Sequence, residues 1–389
     1  MASRTARTRT STTTVSDAHV PDVVDARLTA VLEQLVARRG LHHANLAIMR
    51  GDGDRRWSAA SGPSSTDDAP IHPSTPFFVA SVTKRFIITL VLQAHERGEL
   101  DLDDAITAYL PAAVTDGLHV RRGVDHTPAI TIRHLASHTS GLPDYFDKPL
   151  TGPSLYDRLV DGDDLVWDFD EVVRMAREQH RPHFVPQDLS TDRQIARYSD
   201  TGFQLLIRIL ETVTGRGFGD QLQERIVGPL GLEHTWLPGR TRPAAPTPSP
   251  SPLHARDRRL ELPGMIASSN DLMSTTADLL SFQRSLLAGE LFDDPATVQL
   301  LTERRNRLRR IVTISYGLGT MYFRVNALAA PGRRPVDLIG HSGSTGTWLF
   351  HCPELDLHLA GTVDQAKGHA LPFRIMVRLL RAWGADDDR

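Results

Sequence analysis

Cysteine is almost absent, since Cys352 is the only one among 389 residues. No intrachain disulfide can form, and a multi-cysteine metal site is excluded. No stretch approaches a membrane span of about 18 unbroken apolar residues. The formal net charge is only −3, which gives no reason to expect a nucleic acid or an anionic membrane as partner. Lysine is scarce too. Of the 44 basic residues, only Lys84, Lys148 and Lys367 are lysines, so a lysine at a chemically suggestive position carries weight. Residues Met1 to Ser16 hold Arg4, Arg7 and Arg9 among many Thr and Ser. They lack the apolar run that a secretory signal needs. Residues 1–22 therefore read as a disordered tail of a cytoplasmic protein.

What is present suits a globular chain with a substantial core, at 40% hydrophobic and 23% charged residues. Val24, Leu28, Val31, Leu32 and Leu35 recur at helical spacing up to Gly40. Two strands are expected at 44–50 and 57–61, joined by the hairpin signal Gly51-Asp52-Gly53. After Ser81 comes a strongly apolar helix through Phe86, Ile87, Ile88, Leu90, Val91 and Leu92 to Gly98. The middle of the chain reads as helical at 131–136, 170–179 and 201–214, the last with Asp200 as N-cap and Gly215 as stop. Six prolines over Pro238–Pro252 mark an exposed extended loop. A further helix is expected at 276–287. Strand signals return at 311–316, 336–339, 347–351 and 355–363, before a last helix at 373–382. The fold class expected is α+β, an antiparallel sheet flanked by helices and built from both chain ends, with an inserted mostly helical domain. The boundaries expected are 23–100 and 262–389 for the α/β domain and 101–261 for the insertion, with the Pro-rich loop at 238–252.

The sharpest chemical signal is Ser81-Val82-Thr83-Lys84. A Ser hydroxyl is a poor nucleophile until something takes its proton. On a helix, residues three apart share a face, so the amine can sit beside the Ser oxygen. Desolvation would lower its pKa and make it a base. Ser-x-x-Lys also occurs by chance in ordinary helices; the apolar helix behind this one and the rarity of lysine favour chemistry. A second signal is Tyr198-Ser199-Asp200, directly before an apolar helix. It reads either as a proton-transferring phenol or as a core Tyr next to a cap. A third is Gly340-His341-Ser342-Gly343-Ser344-Thr345-Gly346, between two strands. It is either a glycine-rich hairpin or an open strand edge whose N–H groups can reach a ligand.

These three elements, in this order, resemble the serine β-lactamase and penicillin-binding-protein superfamily. Within it the likeness is to the branch of class C β-lactamases, DD-peptidases and related esterases. Flanking text carries the likeness further: Pro76 to Ser81, Gly98 to Asp104, Ile132 to Pro143 and Pro229-Leu230-Gly231-Leu232. The resemblance spans roughly Asp25 to Arg381 and rests on the motif Ser-x-x-Lys. It implies a β-lactamase/transpeptidase-like fold and a covalent acyl-enzyme on Ser81. Lys84 and Tyr198 would share proton transfer, and the N–H groups of Ser81 and Ser344 would hold the oxyanion. Asp200, His341, Gly343 and Ser344 would bind substrate. No cofactor and no metal is implied; the partner is a small-molecule acyl substrate, and the oligomeric state stays open.

Two departures bear on substrate. Asp200 stands where the family often has Asn, and a carboxylate only accepts hydrogen bonds. His341 stands where many β-lactam-binding members have a permanently charged Lys. Both weaken a site for the carboxylate of a β-lactam or a D-Ala-D-Ala peptide. The expected activity is therefore that of a serine hydrolase of esters or amides. The alternatives are an acyltransferase with the same acyl-enzyme, a β-lactamase or D-alanyl-D-alanine peptidase, and a non-catalytic ligand-binding homologue. Competing sites are fewer. His134 and His138, four apart, would suit one zinc. Ser342 partly imitates the nucleophile of an α/β-hydrolase. His42-His43 reads as a solvated pair. The basic run Arg304 to Arg310 reads as a solvated face or a dock for an acidic partner.

Overall fold

In a computed structural model of the chain, residues 12–16, 23–63, 70–191, 194–309 and 313–384 are described. Ten strands form one sheet: β1 Thr12–Ser16, β2 Ala44–Arg50, β3 Arg56–Ser61, β4 Ile195–Ala196, β5 Asn306–Leu308, β6 Ile314–Tyr316, β7 Met321–Val325, β8 Val336–Ser342, β9 Trp348–Cys352 and β10 Leu357–Thr362. Their order is β1-β3-β2-β10-β9-β8-β7-β6-β5-β4. Every neighbouring pair is antiparallel except β4 with β5. Strands from the two ends of the chain meet at the centre, where Ala360 of β10 faces Ala47 of β2. The α+β class and the two-ended sheet expected above are what is found.

The sheet is buried on both faces, which explains why its strands read as runs of apolar residues instead of alternating ones. Leu46, Ile48, Trp348 and Phe350 point to one face, where helices α1 (Val23–Val36) and α5 (Leu371–Gly384) pack. Ala47, Met49, Leu349 and Ala360 point to the other. There they join the core built by helices α2 (Lys84–Glu96), α3 (Asp200–Thr214) and α4 (Thr276–Leu287). Phe86 of α2 stacks on Phe282 of α4 with ring centroids 3.7 Å apart. Every residue of α2 from Lys84 to Ala94 is buried. That is the environment an all-round apolar helix demands.

Some expectations need correction. Residues 12–16 were expected within a disordered tail. The β-branched run Thr12–Val15 instead pairs with β3, from Thr12 opposite Ser61 to Ser16 opposite Trp57. The rest of that tail, residues 1–11 and 17–22, lies outside the described residues, as do 311–312 of the strand expected at 311–316. The segment expected as the helical insertion supplies β4 to the sheet edge. His42-His43 is not a solvated pair. His43 is fully buried, with Nε2 2.7 Å from the Asp364 carboxylate. The basic run contains β5, which lies between β6 and β4, and its Arg305, Arg307 and Arg309 are exposed, as a solvated face requires. Arg305 pairs with Asp337, and Arg304 donates to the carbonyl of Leu189. Arg310 lies outside the described residues. Among the described residues, no helix is long and apolar enough to cross a membrane.

Candidate active site

A short 3-10 turn, Ala80–Thr83, feeds directly into α2. Ala80 holds φ at 48°, in the left-handed region. That conformation costs on the order of 1 kcal/mol for a residue with a side chain and is a known form of strain at functional turns. It bends the chain so that Ser81 faces a cavity of about 550 Å³. The end of β8 lies against the same turn. A Cβ on Gly343 would sit 2.1 Å from Thr347 Oγ1 and 2.9 Å from the Val79 carbonyl oxygen. Thr347 Oγ1 donates to that same carbonyl at 2.9 Å. Glycine at 343 is thus what lets the strand approach closely enough for Ser344 and Ser81 to line one cavity.

Three of the expected residues converge on one oxygen. Lys84 Nζ donates to Ser81 Oγ at 3.1 Å, and Tyr198 OH donates to it at 2.8 Å. Lys84 also forms an ion pair with Asp200. The loop carrying Tyr198 is pinned from behind. Arg197 N–H donates to the His138 carbonyl at 2.8 Å, and Ser199 Oγ to the Pro143 carbonyl at 2.9 Å. Ser199, not Asp200, is the N-cap residue of α3, and its side chain caps nothing. Asp200 was expected as the cap; its carboxylate is turned into the site because a buried ammonium needs a counter-charge.

That pairing corrects a second expectation, that desolvation would turn Lys84 into a free amine. Burial does push the ammonium down, but Asp200 and then Asp271 hold it above its ordinary value. Lys84 rests protonated. The Tyr198 phenol is also held neutral, pushed well above 10.0 by burial and by Asp200.

His341 was expected to bind substrate, yet it does not line the cavity. It is fully buried. Its Nδ1 lies 2.8 Å from the Ser342 carbonyl and its Nε2 2.9 Å from Tyr316 OH. A carbonyl only accepts, so Nδ1 carries the proton and Nε2 accepts from Tyr316. Burial, then the Lys84 charge, hold the ring well below its ordinary pKa, so it is neutral. His134 and His138 are committed elsewhere, and among the described residues no cluster that could hold a metal ion is found. His134 closes a capping box with Thr131 and turns Nε2 to the Gln187 carbonyl at 2.7 Å. His138 packs its ring 4.5 Å from that of Tyr198 and 4.3 Å from that of Tyr316. Ser342 Oγ points to the Met321 sulfur at 3.5 Å, with no His base behind it.

The sequence reading missed three groups. Tyr316 fixes His341 and flanks Tyr198. Asp144 and Asp271 line the cavity near the Lys84–Asp200 pair. Asp144 directly follows the quoted Ser140-Gly141-Leu142-Pro143, so its adjacency was a usable signal. Tyr316 and Asp271 sit in no motif, and nothing in the sequence marks them. Burial, opposed by Lys84, pushes the Asp271 carboxyl from its ordinary 3.8 up to about 7. A carboxyl with a raised folded pKa favours the fold while protonated and loses that contribution as pH climbs through the folded value. Asp271→Asn, which cannot ionise, should therefore unfold a few degrees above the parent at mildly alkaline pH. The gap should open between about pH 4 and pH 7 and stay flat beyond. Thermal melts of both proteins across that range check it; a gap that narrows as pH rises contradicts it.

Known proteins share this arrangement of elements. The esterase EstB of Burkholderia gladioli is 32% identical over 211 residues, covering 53% of this chain and 50% of that protein. Penicillin-binding protein 4 of Amycolatopsis lactamdurans is 32% identical over 206 residues, covering 52% and 47%. The chain thus spans about half the length of the curated relatives it matches. A solved D-stereospecific amidohydrolase from a Streptomyces species superposes with a TM-score of 0.69 at 27% identity, covering 92% of this chain and 97% of that one. The profile of the family described as Beta-lactamase matches residues 28–380. The chain belongs to the β-lactamase family.

Proposed function

We propose that this chain is a serine hydrolase that cleaves carboxylic esters or amides through a covalent acyl group on Ser81. The observation that carries the reading is the double donation to Ser81 Oγ from Lys84 Nζ and Tyr198 OH, at 3.1 and 2.8 Å. Two such donors stabilise negative charge on that oxygen as it attacks. The esterase and the amidohydrolase among the similar proteins support the same substrate bonds.

The proton path follows from the ion pair. As Ser81 Oγ bonds to the carbonyl carbon, its proton passes to Lys84 Nζ while Lys84 gives one to Asp200. The tetrahedral oxyanion is held by the N–H groups of Ser81 and Ser344. The C–O or C–N bond then breaks, and Tyr198 gives its phenolic proton to the leaving group. The phenolate is reprotonated through Lys84 from Asp200, so the serine proton ends on the leaving group. Water deacylates the enzyme by the reverse route. Asp200 supplies a carboxylate that an Asn would not, which makes Lys84 a relay rather than a free base.

The same site offers little to an anionic β-lactam. His341 is neutral and buried, and Asp200 adds repulsion. A short-chain p-nitrophenyl ester should therefore be turned over with a kcat/KM about 100-fold or more above that for nitrocefin, a difference of roughly 3 kcal/mol in barrier. Steady-state assays of both substrates on one preparation decide it. Nitrocefin turnover equal to or faster than ester turnover would overturn the substrate argument.

A further inference from the structure

The peptide that carries Tyr198 is gripped on both sides by one residue. Arg197 N–H donates to the His138 carbonyl at 2.8 Å, and Ser199 N–H donates to His138 Nδ1 at 3.3 Å. The His138 ring also lies against the phenol ring, with centroids 4.5 Å apart and the planes tilted by 45°. Residues 197–199 need such a grip. They join β4 to α3 and belong to neither a strand nor a helix.

His138 holds its own place against two unfavourable features. Its φ is 57°, in the left-handed region that residues with side chains seldom enter. Its side chain is buried. A backbone N–H only donates, so Nδ1 is the acceptor and Nε2 carries the ring hydrogen. Nε2 meets no hydrogen-bond partner among the described residues. The rings of Tyr198, Tyr316 and Phe203 surround this imidazole instead. Burial, then the charge of Lys84, hold it well below its ordinary pKa, so Nδ1 stays free to accept. Strained backbone and stranded polar atoms gather at functional sites. What depends on them here is the aim of one hydroxyl. The Tyr198 phenol must meet Ser81 Oγ, 117 positions away, at 2.8 Å. A misplacement of about 1 Å in such a group can cost about 100-fold in rate.

We propose that His138 is a positioning residue: by holding residues 197 and 199 it fixes Tyr198 where the phenol can protonate the leaving group. This rests on the acyl-enzyme reading above and adds the residue that sets the aim of its proton donor. His138 does not line the cavity and acts through Tyr198.

The test compares ethyl butyrate with p-nitrophenyl butyrate, which share an acyl group. Ethoxide needs a proton to leave, and p-nitrophenolate does not. His138→Gly removes the ring acceptor while allowing the left-handed backbone. It should lower kcat for ethyl butyrate by about 100-fold and that for p-nitrophenyl butyrate by about 10-fold or less. His138→Leu keeps bulk without the acceptor and should show the same imbalance, so the reading survives if one of the two fails to fold. His138→Asn should stay within about fivefold of the parent on both esters, because its Oδ1 can stand in for Nδ1 and Asn tolerates the left-handed backbone. On a Tyr198→Phe background, His138→Gly should cost less than about threefold more on either ester. A merely structural role would weaken both esters alike, with or without the phenol. Equal losses on the two esters, a His138→Asn variant as impaired as His138→Gly, or an undiminished loss in the double variant overturns the inference and leaves the hydrolase reading standing. Failure of both esters to turn over or to add mass to Ser81 in the unaltered protein overturns both.

Discussion

Lys84→Met should lower kcat/KM for a short-chain p-nitrophenyl ester by about a thousandfold, with most of the loss in kcat. Methionine nearly matches the volume of lysine but has no proton to accept or give. The variant removes the donor at 3.1 Å from Ser81 Oγ and the link from that oxygen to Asp200. Positioned proton transfer contributes about 10²- to 10⁴-fold, so a thousandfold loss is about 4 kcal/mol of barrier. p-Nitrophenolate leaves without help, so the loss reports on attack by Ser81 and not on protonation by Tyr198. The substitution also strands Asp200 beside Asp271 without a cation, which costs stability. Lys84→Met combined with Asp200→Asn separates the two effects. The double variant should regain unfolding temperature but not activity. Recovery of activity in the double variant would mean that the amine acts only by neutralising Asp200.

Of the proposed catalytic trio, Ser81 and Lys84 were legible because local geometry brings them together, whereas Tyr198, 117 positions from Ser81, was joined to them by the family resemblance. Ser81 and Lys84 are one turn apart at a helix entrance, and Tyr198 directly precedes another apolar helix. The sheet was legible where strands are long and buried on both faces, as at β2, β9 and β10, since the apolar runs there are unbroken. Short elements were not. β4 has two residues and β5 three, too few for any periodicity, and β5 lies inside an arginine run. β1 is polar and owes its place to pairing with β3 rather than to burial visible in its own residues. Charge pairing across long stretches was invisible as well. His43 and Asp364 are 321 positions apart, and only the closed sheet brings them together. The same holds for the protonation of Lys84. Reading it as a desolvated amine counted burial and left out the pairing with Asp200, 116 positions away, and the charge of Asp271, which no motif announces.

The covalent step itself leaves a mass. With a slowly released acyl donor, quenched early, the protein should gain the mass of one acyl group, because the covalent intermediate then forms faster than water removes it. Ser81→Ala removes the single atom to which that bond forms. It should abolish the adduct altogether and leave ester turnover no more than about 10³- to 10⁴-fold above the buffer rate, a larger effect than that of any other substitution considered. The same wall of apolar residues and the Lys84–Asp200 pair stay in place in this variant, so its unfolding temperature should hold. Intact-mass measurement of the parent and of Ser81→Ala after incubation with the ester, followed by peptide mapping, is the most direct test. The account predicts one added acyl group on the peptide containing Ser81 in the parent and none in the variant. An adduct that persists in Ser81→Ala, or that maps to Ser342 or to any other side chain, would contradict it.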